Sequence, residues 1–170
     1  MISPFEHAMI FKRLKNLNYK VLPSIFVLLV KRPGYLIPTW RATVATLKIA
    51  SATYPKTHNR DGRGNAFKHA LWNISILFYL NKTEGRQLKN TLSWTKNVTD
   101  ANEDLFDNPI MQRTMDIQNN KAGRDLFVQN PKVPFETLLN ELKKKTEEAI
   151  PFKDPSKIDI FSDHLVYIKV

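Results

Sequence analysis

The sequence predicts a mainly α, single-domain helical bundle closed by a short C-terminal β-hairpin. Three observations predict it. Apolar residues recur at spacings of three and four through most of the chain, Pro and Gly fall between those stretches, and the pattern changes after Pro155 to short runs rich in β-branched residues. At 170 residues and 42% hydrophobic, the chain can bury one sizeable core and is short for two domains. Within it, residues 1–38 read as a basic and apolar segment packing on the core, and residues 39–170 as the helical domain.

Lys12 to Lys20 is basic and Val21 to Val30 mostly apolar. No cleavable signal peptide is expected here. The apolar run contains Pro23, is followed at once by Lys31-Arg32-Pro33-Gly34, and has no small-residue cleavage site there. About ten apolar residues cannot span a bilayer, so no transmembrane helix is expected and the run reads as a core-packing or docking segment. A basic flank beside apolar residues with Phe26 and Tyr35 is also the composition of peripheral membrane anchors.

Trp40, Val44, Leu47, Ser51 and Tyr54 step by three or four, which predicts an amphipathic helix from Thr39 to Thr53 that ends before Pro55. Lys56 to Gly64 is a polar, basic loop. Asn65 then reads as the N-cap of a helix to about Leu80, with Asn65, His69, Trp72, Asn73 and Ile76 on one side. Phe67, Ala70, Leu71, Ile74, Leu77 and Phe78 surround that strip, so the helix should be central and His69 buried.

A further helix is expected from Gly85 to Phe106, breaking near Asn97, with Leu88, Leu92, Val98 or Thr99, Ala101 and Leu105 facing inward. The trio Asn102-Glu103-Asp104 at its end is the kind of sequence that is ordinarily solvated. Asn108 as cap and Pro109 at the first helical position start the next helix, which should reach Val128. On it Asp116, Asn119, Asn120, Gly123 and Arg124 form one stripe, in which Gly123 leaves room for another backbone or a substrate. Beyond Val133-Pro134 an amphipathic helix buries Phe135, Leu138, Leu139, Leu142 and Ile150, and two short strands around Ser162-Asp163 make the hairpin.

The absence of Cys excludes disulfides, thiolate metal sites and Cys nucleophiles while leaving the compartment open. No P-loop, dinucleotide fingerprint or HExxH motif occurs. With 26 Lys and Arg against 16 Asp and Glu, the net charge of +10 favours anionic partners.

Polar residues set among apolar ones need partners, because an unpaired buried amide or carboxylate costs roughly 1–3 kcal/mol. His69, Glu103 and Asp116 are therefore the candidate catalytic residues, with Asn73, Asn119, Asn120 and Arg124 as candidate substrate-binding groups. Two chemistries stay open. The first three could hold a divalent metal ion, or His69 could act as general base oriented by Asp116 or Glu103, with Arg124 and the amides stabilising negative charge. No Ser or Thr lies in these motifs apart from the exposed-looking Thr99, which favours a water-activating hydrolase over a covalent mechanism. Basicity with Trp40, Trp72 and Trp94 suits a phosphodiester, in phospholipid if the apolar N-terminal segment matters and in nucleic acid if the loop Lys56 to Arg63 does. The alternative is a non-catalytic helical binding module whose polar residues form a structural network.

The segments Asn65 to Asn73 (NAFKHALWN), Asp100 to Glu103 (DANE) and Met115 to Arg124 (MDIQNNKAGR), followed by a Leu-Val-Tyr strand, resemble a bacterial domain family. Its pattern is roughly NAFRHALWN, DAHE and MDxxNNxxGR, and the resemblance covers Trp40 to Val170. Such domains stand alone or end secreted polymorphic toxins. The resemblance implies a bacterial effector with hydrolytic activity, exported without a cleavable signal peptide and matched by a cognate immunity protein. This chain departs from the pattern at Asn102 and at Gln118, where the family carries His. If the first of those His were a ligand or base, the present protein would be weakened.

Overall fold

Helix α3, Arg63–Asn81, runs through the middle of the molecule and touches every other long helix but one. In the computed structural model, residues 18–55, 57, 61–82, 85–106 and 108–169 are described. The basic residues Lys12, Arg13 and Lys15, the loop residues Lys56, His58, Asn59 and Arg60, and Asp107 lie outside them. Around α3 are α1 (Leu22–Lys31), α2 (Leu36–Thr53), α4 (Leu88–Leu105), α5 (Ile110–Gln129) and α6 (Phe135–Glu147). The mainly α bundle expected from periodicity is the fold found.

The placement of α3 follows from its composition. Apolar residues occupy all its sides, and a helix apolar all round is stable only when surrounded. Phe67, Leu71, Ile74 and Leu77 are fully buried and join Phe127, Leu138 and Leu142 in the main core. A second cluster holds Ile76 and Leu80 against Ala42 and Trp94. The helix begins two residues before Asn65, with Gly62 in the cap position, so Asn65 does not cap it.

Gly123 resolves the choice between backbone and substrate. A Cβ there would lie 2.3 Å from the carbonyl oxygen of Ala70, so α5 presses directly on the α3 backbone. Only Gly permits that approach.

Helix α2 packs with the opposite side to the one its apolar stripe suggests. Ala42, Thr46 and Ala50 face inward, whereas Trp40, Val44 and Leu47 are exposed. Two tryptophans reinforce this rotation: Trp94 Nε1 donates to Thr39 Oγ1 at 2.9 Å, and Trp72 Nε1 donates to Thr43 Oγ1 at 2.8 Å. Helix α1 has no fully buried residue; Ile25 and Leu28 are partly covered, and Leu28 packs with Tyr35 and Leu36 against the cluster of Ile76, Leu80 and Trp94.

Helix α4 is continuous, without the break expected near Asn97, and Leu88 and Leu92 pack against the main core as expected. Thr91, Trp94, Thr95, Thr99 and Glu103 are its buried residues. Threonine can face a core because its hydroxyl bonds the preceding turn, as Thr95 does to Thr91 O at 2.8 Å. Helix α5 starts after Pro109 rather than after an Asn108 cap.

The C-terminal β element is present, but it is not a hairpin. Strand β1 (Ile150–Pro151) pairs in parallel with β2 (Val166–Tyr167), in register Ile150 with Val166. Ile158 and Ile160, in the stretch before Ser162 where the first strand of the hairpin is expected, lie instead in the 3-10 turn Pro155–Phe161. Pro155 fixes its start, and Asp154 caps it by accepting from the Ser156 N–H at 3.0 Å. A crossover of this kind brings β2 back beside α5, where Val166 packs with Met115 and Phe152.

Candidate functional site

Three helices meet at one polar cluster inside this bundle. His69 comes from the middle of α3, Glu103 from the last turn of α4, and Asp116 from the second turn of α5. His69 lies between the two carboxylates: Nδ1 is 3.4 Å from Glu103 Oε1, and Nε2 is 3.4 Å from Asp116 Oδ1. At that distance Nδ1 makes an ion-pair contact and no directed hydrogen bond.

The carboxylate oxygen that faces His69 also accepts from asparagine in each case. Asn65, one turn before His69, donates from Nδ2 to Asp116 Oδ1 at 2.9 Å. Asn120 and Asn102 both donate to Glu103 Oε1, each at 3.3 Å. Asn73, one turn after His69, donates to Asn120 Oδ1 at 2.8 Å, and its own Oδ1 accepts from Arg124 Nη1 at 2.9 Å. The result is a chain of polar contacts from Asp116 through His69, Glu103, Asn120 and Asn73 to Arg124.

Burial divides this chain into an interior and a rim. Asn73 and Asn120 have no exposed surface and Glu103 has 2%, while Asn65, Asp116, His69 and Arg124 keep 5–8%. Burial raises the proton affinity of both carboxyl groups, with opposite net results. At Glu103 it is outweighed by the close contact and charge of His69, then by Asn102 and Asn120, so its pKa falls below the ordinary value. At Asp116 burial prevails over the charge of His69, and nearby Glu103 adds to it, so the pKa rises to about 6. Burial also lowers the pKa of Arg124, partly offset by Asp100 and Asp125, and no ion pair to Arg124 occurs among the described residues.

Of the residues singled out from the sequence, His69, Glu103, Asp116, Asn73, Asn120 and Arg124 converge. Asn119 does not join them. Its amide bonds both backbone groups of Val166, which places it in the attachment of β2 and away from any substrate. Two further members join the cluster. Asn65, on the His69 face by its i, i+4 spacing, does not cap the helix but holds Asp116. Thr99 looked exposed, yet it is fully buried and donates to Asn73 Oδ1 at 3.3 Å.

Asn102 and Gln118, the two positions at which the chain differs from the motifs it resembles, take different places. Asn102 contacts Glu103 Oε1. Gln118 points elsewhere, donating from Nε2 to the carbonyls of Phe161, Ser162 and His164.

One nitrogen of His69 and one oxygen each of Glu103 and Asp116 lie within 4.8 Å of one another, a ligand set suited to a hard or borderline divalent ion. The two ring nitrogens face different carboxylates, so an ion would need both carboxylates drawn to one nitrogen. A cavity of about 360 Å³ opens elsewhere, at the start of α3, lined by Tyr54, Gly62, Arg63, Gly64 and Tyr167 among others. None of the cluster residues lines it.

Fold and site together define a mainly helical domain organised around a buried imidazole–carboxylate cluster. Residues 26–150 match a domain of unknown function, DUF6973, and the chain belongs to that family. No curated protein matches it.

Proposed function

We propose that the protein is a hydrolase that activates water at the His69–Asp116 pair and cleaves an anionic phosphodiester, as a bacterial effector or toxin. The observation that carries this reading is one imidazole between two carboxyl groups whose proton affinities are pushed in opposite directions. Such a separation gives one site both an acid and a base. Glu103 stays ionised and fixes the ring through its contact with Nδ1. His69 Nε2 takes a proton from water, the water oxygen bonds phosphorus, and the bond to the leaving oxygen breaks as Asp116 supplies its proton. Arg124, buried without a carboxylate partner among the described residues, is suited to the phosphate charge. Export and a cognate inhibitor belong to the same proposal and rest on the motif resemblance.

A divalent ion on His69, Glu103 and Asp116 would supply Lewis acidity at the same place. The three ligand atoms lie within 4.8 Å of one another, and such an ion would draw both carboxylates to one ring nitrogen. Activity retained after chelation would exclude it.

Burial favours a different reading, in which the cluster only specifies the fold, because most of its donors and acceptors satisfy one another. His69→Ala and Asp116→Ala separate the two. The assays are dye release from phospholipid vesicles and cleavage of DNA and RNA at low and high salt, with and without divalent metal. For a hydrolase each variant loses activity while circular dichroism and cooperative melting persist. A fall of several degrees in melting temperature, with wild-type and variants alike inactive on all these substrates, sinks the hydrolase.

A further inference from the structure

We infer that the outward faces of α1 and α2 form a docking surface for an anionic lipid bilayer. Helix α1 is mostly apolar and yet has no fully buried residue; Phe26 is 66% exposed and Val30 61%. With only Ile25 and Leu28 of its apolar residues partly covered, it exposes apolar surface around most of its circumference. On α2, Ile37, Trp40, Val44 and Leu47 make one exposed stripe at spacings of three and four, and Trp40 is 69% exposed. A folded protein rarely shows water so much contiguous apolar surface without a partner for it.

Charge identifies the partner. Lys20, Lys31, Arg32, Arg41 and Lys48 are all exposed, and no acidic residue occurs between Glu6 and Asp61. Arg41 and Lys48 lie on the apolar stripe itself, where their aliphatic stems can follow the surface while the charged ends reach outward. A second copy docked through this face would bring like charges together with nothing in the segment to offset them. Residues 1–17 are also basic, with Lys12, Arg13 and Lys15 against Glu6. A bilayer containing anionic lipid meets both requirements at once, taking up the apolar side chains and pairing its headgroups with the cations.

No single described helix is long and apolar enough to cross a membrane, although Tyr19–Lys31 and Pro33–Thr53, which meet at 91°, have the length and composition of a bent span when taken together. Ala42, Thr46 and Ala50 fix the second of these helices to the rest of the bundle, so its exposed stripe is placed to lie on a membrane surface. This surface uses no member of the His69 cluster, so the inference holds whatever chemistry that cluster performs.

The test is co-sedimentation of the full chain with vesicles of phosphatidylcholine alone or of equal parts phosphatidylcholine and phosphatidylglycerol, with tryptophan emission read in parallel. Trp94 is buried and Trp72 half-buried, so a blue shift on binding reports mainly Trp40. Anionic vesicles should bind roughly tenfold or more tightly than neutral ones, less so as salt rises. Phe26→Glu with Trp40→Glu should abolish binding, and Arg41→Gln with Lys48→Gln should weaken it and its salt dependence, with unchanged circular dichroism. Absent or equal binding to the two vesicles overturns the inference. So does a wild-type dimer that the Glu variants dissolve, or a Trp40 in the free chain shielded from acrylamide, which would show the face covered by a second copy or by residues 1–17.

Discussion

The side chain of Asn119 pairs with Val166 as a neighbouring strand would: its Nδ2 donates to the Val166 carbonyl at 2.9 Å and its Oδ1 accepts from the Val166 N–H at 2.9 Å. A helix side chain thus supplies both hydrogen bonds that an edge strand of a two-stranded sheet would otherwise leave open. Asn119→Ala leaves two buried backbone groups unpaired and should cost roughly 2–6 kcal/mol, about 1–3 for each. For a chain of this size that lowers the melting temperature by about 5–15 °C. A scan showing a loss below about one degree would mean that water replaces the amide.

Gly123→Ala tests the contact between α5 and α3. Helix propensity alone would favour Ala by about 1 kcal/mol. The new Cβ, however, would meet Ala70 backbone atoms at 2.3–2.8 Å, which no rotamer change can relieve. The clash should prevail, with a net loss of about 1–3 kcal/mol in urea unfolding. Gly34→Ala is the control, because nothing lies within 4 Å of its added Cβ, and it should be neutral within about 0.5 kcal/mol.

Asp116 gives a pH dependence with a defined sign. Its folded pKa of about 6 exceeds the ordinary 3.8, so folding favours the protonated form. The stability it contributes is full below the unfolded pKa and is lost as pH rises through about 6. The difference amounts to about 3 kcal/mol. Glu103, with its pKa lowered, behaves oppositely: its contribution is present above the unfolded pKa and is lost on acidification. Asp116→Asn keeps an acceptor for Asn65 and removes the titration. Urea midpoints at pH 4 and pH 7 should therefore show the variant gaining on wild type as pH rises, and a constant difference would refute the assignment.

The cluster was legible because polar residues at three- and four-residue spacing inside an apolar helix have few structural uses. His69 with Asn73, and Asp116 with Asn120 and Arg124, could be placed on shared faces from spacing alone. Their convergence could not, since it depends on how three helices are rotated. Rotation is also where sequence reasoning failed. Trp40, Val44 and Leu47 look like a core stripe, but Ala42, Thr46 and Ala50 allow a closer approach to α3 and take the inside. In α4, Leu88 and Leu92 do pack on the core, but Thr91 and Thr95 share its fully buried positions, which sequence reasoning missed because threonine counts as polar although Thr95 and Thr99 satisfy their hydroxyls within their own helix. The hairpin expectation rested on β-branched composition after Pro155. That composition does not distinguish a strand from a capped 3-10 turn, nor an adjacent strand from one that returns after a crossover.

The parallel return of β2 also has a meaning for the order in which the protein can be made. Val166 is synthesised 47 positions after Asn119, and the carbonyl of His164 that Gln118 holds comes 46 positions after it. Until those residues have left the ribosome, the flank of α5 next to Asp116 has only water to satisfy it. The span that matches the family ends at 150, short of both. Every member of the polar cluster is therefore translated before the strand that closes one wall of its helix, and a nascent chain stopped between the two would hold the full set of reactive groups in an unfinished shell.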